Sequence, residues 1–332
     1  MNKYYDVSDL LSYNKILNFV IGQRGGGKTF SAKKWCVNDF IKSGGKNQFV
    51  WVRRYKTEMK KLKTSFWDDI ISTGIFKDVE FSVNGDKLMI NGEVSGYLVP
   101  LSTSQQMKSS SYPNVTKIIY DEFVIEKSSL RYLSNEVESF LSLMDTIIRD
   151  RDNCRAVLIA NNIQVTNPYF DYFKIRGDQS KRFVKKDDMI IEFYTNEVYA
   201  EERIKTRFGR LIKDTEYGEF SLYNKPLLDN PLFIEQRTKQ ARFCYALLWK
   251  GVYIGVWKDN KQDKLYLSDK YDRDGLVFTL TTDDHQPKML YLKQFKNMAN
   301  IKALKYAYSV GSLCFENQMI KRYFIDEILS YI

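Results

Sequence analysis

Gly22-Gln23-Arg24-Gly25-Gly26-Gly27-Lys28-Thr29 matches in full the phosphate-binding pattern G-x-x-x-x-G-K-[ST]. A short apolar run of strand length, Ile16 to Ile21, leads into it. Phe30, Trp35, Cys36 and Phe40 follow at helical spacing. A strand feeding a glycine loop that feeds a helix is the setting in which this motif works. The glycines let the backbone curl so that successive N–H groups face phosphate oxygens, and the helix N-terminus adds partial positive charge there. The pattern predicts Lys28 at the β- and γ-phosphates and the Thr29 hydroxyl on Mg²⁺, so ATP and Mg²⁺ are the expected ligands, with residues 22–29 as the cradle.

Working outward, the first two hundred residues alternate strand-like and helix-like stretches, which implies a mostly parallel sheet with ligands at the carboxyl ends of its strands. Gln48 to Val52 is a β-branched and aromatic run, followed by a basic stretch from Arg53 to Lys63. Residues 80–100 carry two hairpin signals, Asn84-Gly85 and Asn91-Gly92. Val115 to Tyr120 reads as a strand ending in Asp121-Glu122. Val137, Phe140, Leu141, Met144, Ile147 and Ile148 share one helical face, with Asn135 as the expected N-cap. Arg155 to Ala160 is another strand, followed by Asn161. Residues 201–229 are charged and turn-rich and read as a linking subdomain. Beyond residue 230 antiparallel strands are expected at 242–249, 252–257 and 264–267, a further strand at 276–281, and helical periodicity over 298–332. The expected organisation is a nucleotide-binding domain over 1–200, a linker over 201–229 and a third domain over 230–332.

Asp121 and Glu122 refine the chemistry. An aspartate at a strand end can hold Mg²⁺ opposite Thr29, and a glutamate directly after it can accept a proton from an attacking water. Hydrolysis needs that second carboxylate, whereas a small-molecule kinase would rather exclude water. Glu126 is the alternative base. Asn161 is placed to sense the γ-phosphate or orient the water, or to serve as an ordinary turn residue. Arg149 and Arg151 follow the helix that starts near Asn135. Either could reach a neighbouring subunit's nucleotide, or simply complement the helix dipole. Arg24 faces phosphate or solvent.

The chain has 332 residues and 51 Lys and Arg against 41 Asp and Glu, a formal charge of +10 that favours a polyanionic partner. Arg53, Arg54, Lys56 and Lys60 in the basic stretch, and Lys108 in a polar loop, are the candidates for sequence-independent phosphate contacts; a solvated face is the other reading. Four scattered cysteines and one histidine, His285, argue against a zinc site and a Ser-His-Asp hydrolase. The charge by itself does not tell nucleic acid from an acidic membrane surface; no run long enough to span a bilayer and no signal peptide is visible, and no membrane partner is expected.

Taken together, these residues resemble the DNA-packaging ATPases of the phi-29-like small tailed phages. The likeness runs from Leu11-Ser12-Tyr13 through Val52-Arg53-Arg54-Tyr55-Lys56, Tyr112-Pro113-Asn114-Val115 and Asp121-Glu122-Phe123. It continues in Leu143-Met144-Asp145-Thr146, the Thr206–Ile212 segment and the Thr279–Asp284 segment. The resemblance implies an ASCE-type P-loop domain, a linker, and a smaller RNase H-like α+β C-terminal domain. It implies a homo-oligomeric ring of five subunits in the host cytoplasm, seated at the portal of an empty procapsid and moving double-stranded DNA inward with ATP. Arg149 matches the arginine donated across subunits in such rings, with Arg151 its near neighbour, and Arg24 matches the family's P-loop arginine. A structural packaging RNA is a further implied partner. The strand at 242–249 carries no carboxylate, so nuclease activity is not expected of the C-terminal domain. A helicase or recombination ATPase of the same superfamily, or a nucleotide-gated nucleic-acid-binding protein without sustained turnover, are the alternatives.

Overall fold

The computed structural model describes residues 4–107, 111–125, 132–133, 135–162, 167–175, 181–224 and 233–332. Contacts divide the chain into two compact units, Met1–Leu228 and Asp229–Ile332.

Among the described residues, the first unit is built on a nine-stranded sheet. Its strands are β1 (Leu17–Gly22), β2 (Gln48–Arg53), β3 (Phe81–Asn84), β4 (Lys87–Ile90), β5 (Glu93–Pro100), β6 (Val115–Asp121), β7 (Arg155–Asn161), β8 (Phe183–Lys186) and β9 (Met189–Tyr194). The order is β3-β4-β5-β2-β6-β7-β1-β9-β8. The central strands β5, β2, β6, β7, β1 and β9 run parallel, and the hairpin strands at either edge are antiparallel. All six residues of β1 are buried, as expected of a central strand covered on both faces. One face packs Phe19, Val50, Val52, Tyr120 and Phe140. The other packs Val20, Cys36, Phe40, Trp51 and Ile119 beneath the P-loop helix α1 (Lys28–Lys42). The basic stretch after β2 forms helix α2 (Lys56–Ser65). The expected helix of the 135–148 region is α3 (Glu136–Ile148), which buries Val137, Phe140, Leu143, Met144 and Ile147.

In this sheet β7 lies between the P-loop strand β1 and the Asp121 strand β6. That inserted strand is the mark of the ASCE arrangement, and it sets the P-loop and Asp121-Glu122 two strands apart across the same carboxyl edge. The charged segment after β9 is helical. Helices α4 (Glu197–Ile204), α5 (Arg207–Ile212) and α6 (Glu216–Tyr223) are capped by Asn196, Thr206 and Thr215, whose side chains accept from Tyr199 N, Gly209 N and Gly218 N, each at 3.0 Å.

The second unit is a six-stranded sheet of β10 (Arg242–Trp249), β11 (Val252–Asp259), β12 (Lys264–Ser268), β13 (Val277–Thr279), β14 (Leu290–Tyr291) and β15 (Leu313–Phe315), in the order β14-β13-β10-β11-β12-β15. An antiparallel meander β10-β11-β12 with β13 and β14 added parallel beside β10 is the arrangement of an RNase H-like fold. The 298–332 region is not helical throughout. Helix α7 (Ala299–Ser309) and helix α8 (Gln318–Tyr323) flank the three-residue β15, which pairs parallel with β12. A strand that short carries no readable period; its partner strand defines it.

Candidate ATP site

Strand β1 delivers the chain to the loop at Gly22, where a Cβ would lie 2.5 Å from Tyr194 O of β9. Gly27 has φ +88° and is the left-handed cap that starts α1, a conformation in which L side chains are strained. Within the loop Lys28 is buried, and its Nζ donates to Gly22 O at 2.9 Å, Gln23 O at 2.6 Å and Asn161 Oδ1 at 3.2 Å. Thr29 Oγ1 donates to Asp121 Oδ1 at 3.1 Å. A cavity of about 270 Å³ opens here, lined by Gly25 to Phe30, Asp69, Asp121, Glu122 and Ile159 to Asn161. Lys28, Thr29, Asp121, Glu122 and Asn161 therefore come together although they span 134 positions of the chain (28 to 161). The Thr29 hydroxyl and the buried Asp121 carboxylate converge beside the loop's N–H groups, a hard-oxygen donor pair that fits Mg²⁺ next to phosphate.

Beyond Asp121 the chain turns sharply. Glu122 has φ +63°, and Ile159 O of β7 accepts from both Glu122 N at 2.8 Å and Phe123 N at 3.2 Å. A non-glycine residue in that region is a costly conformation of the kind that clusters at functional sites. Glu122 lines the cavity, and its carboxylate meets Arg53 at 2.5 Å; the same guanidinium meets Asp121 Oδ2 at 2.8 Å. Burial works against the Arg53 charge, but Asp121 and Glu122 outweigh it and hold the guanidinium above its usual range.

Several expectations change with these contacts. In the sequence Arg53 and Arg54 read as candidates for nucleic-acid contact. Instead Arg53 is taken up by the Asp121 and Glu122 carboxylates that line the cavity, and Arg54 is 2% exposed and bonded to the equally buried Glu136. The run of positive residues marks a surface only from Lys56 onward: Lys56 and Lys60 are exposed on α2. Gln23 enters the loop with its backbone alone. Its side chain turns away, donating to Leu222 O at 2.6 Å and accepting from Asn196 N at 2.7 Å, which anchors the loop to α4 and α6. Arg24 is exposed, and its carbonyl accepts from Arg203 Nη1 at 3.1 Å. Asn135 precedes α3 without a side-chain cap bond. Lys108 and Glu126 lie outside the described residues.

The two arginines after α3 differ. Arg151 is bound into its surroundings, donating to Pro113 O at 2.6 Å and Tyr112 O at 3.1 Å, and also to Ile147 O. Arg149 is exposed at the helix end with φ +50°, another strained non-glycine position. Sequence reasoning missed Arg53 and Arg203 at the site. The only available signal for Arg53 was its place at the end of the strand next to β6.

The fold and the site define a P-loop NTPase of the ASCE class. A family model of podovirus DNA encapsidation proteins (Gp16) matches residues 1–329. The DNA packaging protein of Bacillus phage phi29 is 42% identical over 319 residues, 96% of this chain and 95% of that protein. A chain of the bacteriophage Phi-29 viral genome packaging motor assembly matches with a TM-score of 0.84 and 40% identity, covering 100% of both chains. The N-terminal domain of the DNA packaging ATPase from bacteriophage phi29 matches with a TM-score of 0.54 and 42% identity, covering 58% of this chain and 97% of its own. The chain belongs to the podovirus DNA encapsidation protein family.

Proposed function

We propose that this protein is the ATP-hydrolysing motor that moves double-stranded DNA through the portal into an empty procapsid. It works as a homo-oligomeric ring of five subunits in the host cytoplasm, with a structural packaging RNA as a further partner. The observation that carries the ATPase reading is the convergence of Lys28, Thr29, Asp121, Glu122 and Asn161 on one cavity at the carboxyl edge of three adjacent strands. The motor reading rests on the family and on the likeness to the Phi-29 packaging motor.

Lys28 exchanges its bonds to loop carbonyls for the β- and γ-phosphate oxygens of ATP, which the loop N–H groups also bind. Thr29 and Asp121 hold Mg²⁺, which when bound neutralises charge developing on the phosphates. Glu122 accepts the proton of the attacking water, and to do so its carboxylate leaves Arg53. The Asn161 amide orients that water. Arg149 reaches the nucleotide of the neighbouring subunit and stabilises its transition state. Lys56 and Lys60, with Lys108, contact DNA phosphates, which gives salt-sensitive binding without sequence preference. Residues 201–229 serve as linker and 230–332 as a docking module. Asp284 is no free metal ligand: its carboxylate accepts from Lys250 N at 2.7 Å and Gly251 N at 2.9 Å.

The test is steady-state ATP hydrolysis with and without duplex DNA for wild type, Glu122→Gln, Arg149→Ala and a mix of the two variants. DNA stimulation of wild type, with activity returning only in the mix, supports sites shared between subunits. Full activity of Arg149→Ala would overturn the shared site, and negligible wild-type turnover with or without DNA would favour the nucleotide-gated binder. Unwinding of duplex fragments would favour the helicase.

A further inference from the structure

We propose that the buried Arg54–Glu136 pair is a positioning device joining the two halves of the shared site: the Glu122 turn of one subunit's own ATP site, and the helix by which that subunit presents Arg149 to its neighbour. The inference rests on the proposal that Arg149 acts across subunits.

Arg53 and Arg54 are consecutive and address the same glutamate from two sides. Arg53 holds the Glu122 carboxylate. Arg54 holds the backbone behind it, donating to Glu122 O at 3.3 Å and Phe123 O at 2.8 Å. The rest of the Arg54 fork reaches Glu136, with Nε at 2.8 Å from Oε2 and Nη2 at 2.8 Å from Oε1. Glu136 in turn accepts from Tyr120 Oη at 2.8 Å and Leu133 N at 3.0 Å. The rings of Tyr132 and Tyr120 stand over the guanidinium at 5.0 and 5.7 Å. Every partner is specific, so the pair has little freedom to slip.

Glu136 is the first residue of α3, and Arg149 directly follows the last. A 13-residue helix behaves as a rod of about 20 Å, so displacement at one end is felt at the other. Engagement of Arg149 by a neighbour therefore shifts Glu136, and through Arg54 it shifts the strained turn that aims Glu122. By linkage, nucleotide at Glu122 biases the stance of Arg149 equally. A planar fork can span helix and turn at once; a lysine ammonium on a flexible stem cannot. A pair serving stability alone would not affect both partners of the shared site.

The test uses the full chain carrying Arg54→Lys. Thermal melting and binding of a fluorescent ATP analogue check its fold, with affinity expected within about twofold of wild type and turnover lowered at least about tenfold. Mixing then separates the roles. The control mix of Glu122→Gln with Arg149→Ala must regain activity; if it stays inactive, the shared site itself is wrong, a distinct failure. With the control working, the inference expects no recovery when Arg54→Lys is mixed with Arg149→Ala, because neither subunit presents a well-placed Arg149. Recovery to the control level would show that Arg54 serves only its own Glu122 and would overturn the inference, as would wild-type turnover by Arg54→Lys alone. A second measurement needs no variant. Amide hydrogen exchange over residues 135–149 of wild type should change when a non-hydrolysable ATP analogue binds. Unchanged exchange there overturns the coupling even if Arg54→Lys does not fold.

Discussion

At the scale of single residues, the site is built on one exposed carboxylate held by a cation. Arg53 grips Glu122, so the proposed role of Glu122 as base requires that this ion pair open when the site is loaded. Glu122→Gln is expected to lower single-turnover hydrolysis by about 10²–10⁴-fold, the range for losing a positioned general base. Nucleotide affinity should hold, because Lys28, Thr29 and Asp121 are untouched. Measuring phosphate release beside the Kd for an ATP analogue checks both, and a parallel loss of affinity would place Glu122 in binding instead. Arg54 was hidden in the sequence for a reason the structure makes physical. It sits in a run of positive residues that looks solvated, yet the bend after β2 turns it inward. A buried guanidinium persists only with a buried carboxylate, and Glu136 lies 82 positions away (54 to 136).

At the scale of elements, the segment after β9 repeats a small device. Thr206 and Thr215 each cap a helix through the amide of a glycine three residues on. Those glycines are required by crowding. A Cβ on Gly209 would lie 1.9 Å from Arg203 O, and one on Gly218 would lie 1.9 Å from Ile212 O, both backbone atoms at the end of the preceding helix. Gly209→Ala and Gly218→Ala are each expected to cost about 1–3 kcal/mol by overpacking, seen as a lower Tm. An unchanged Tm would mean that the helices are free to separate. This crowding gives the Thr206–Ile212 string its physical content: a T-x-x-G start is a short helix beginning where another has just ended. Charge and turn residues dominate this segment of the sequence, and the T-x-x-G caps stand among them.

At the scale of the molecule, each unit has its own core. All the P-loop contacts described above lie within residues 4–224. A chain of residues 1–228 should therefore bind an ATP analogue with the affinity of the full protein by fluorescence titration. A large loss would mean that residues beyond 228 complete the site. The positive charge should act collectively and without regard to base sequence. Lys56→Ala and Lys60→Ala are each expected to lower the slope of log affinity against log salt by about 1 for duplex DNA, equally on unrelated sequences. An unchanged slope would remove α2 from the DNA path.

The amino-acid sequence by itself determined the phosphate cradle, the Asp121-Glu122 pair and the alternation that makes a parallel sheet. These are encoded in contiguous residues, where a loop's glycines and a strand's apolar run act through the backbone they belong to. The tertiary structure alone decided which arginine does what. Arg53 at the site, Arg54 in the core, Arg151 fastened to carbonyls and Arg149 exposed are four chemically equal side chains. Burial and partners distant in sequence separate them. A guanidinium takes its role from the carboxylates and carbonyls that folding brings within 3 Å or so, and no local pattern records those neighbours.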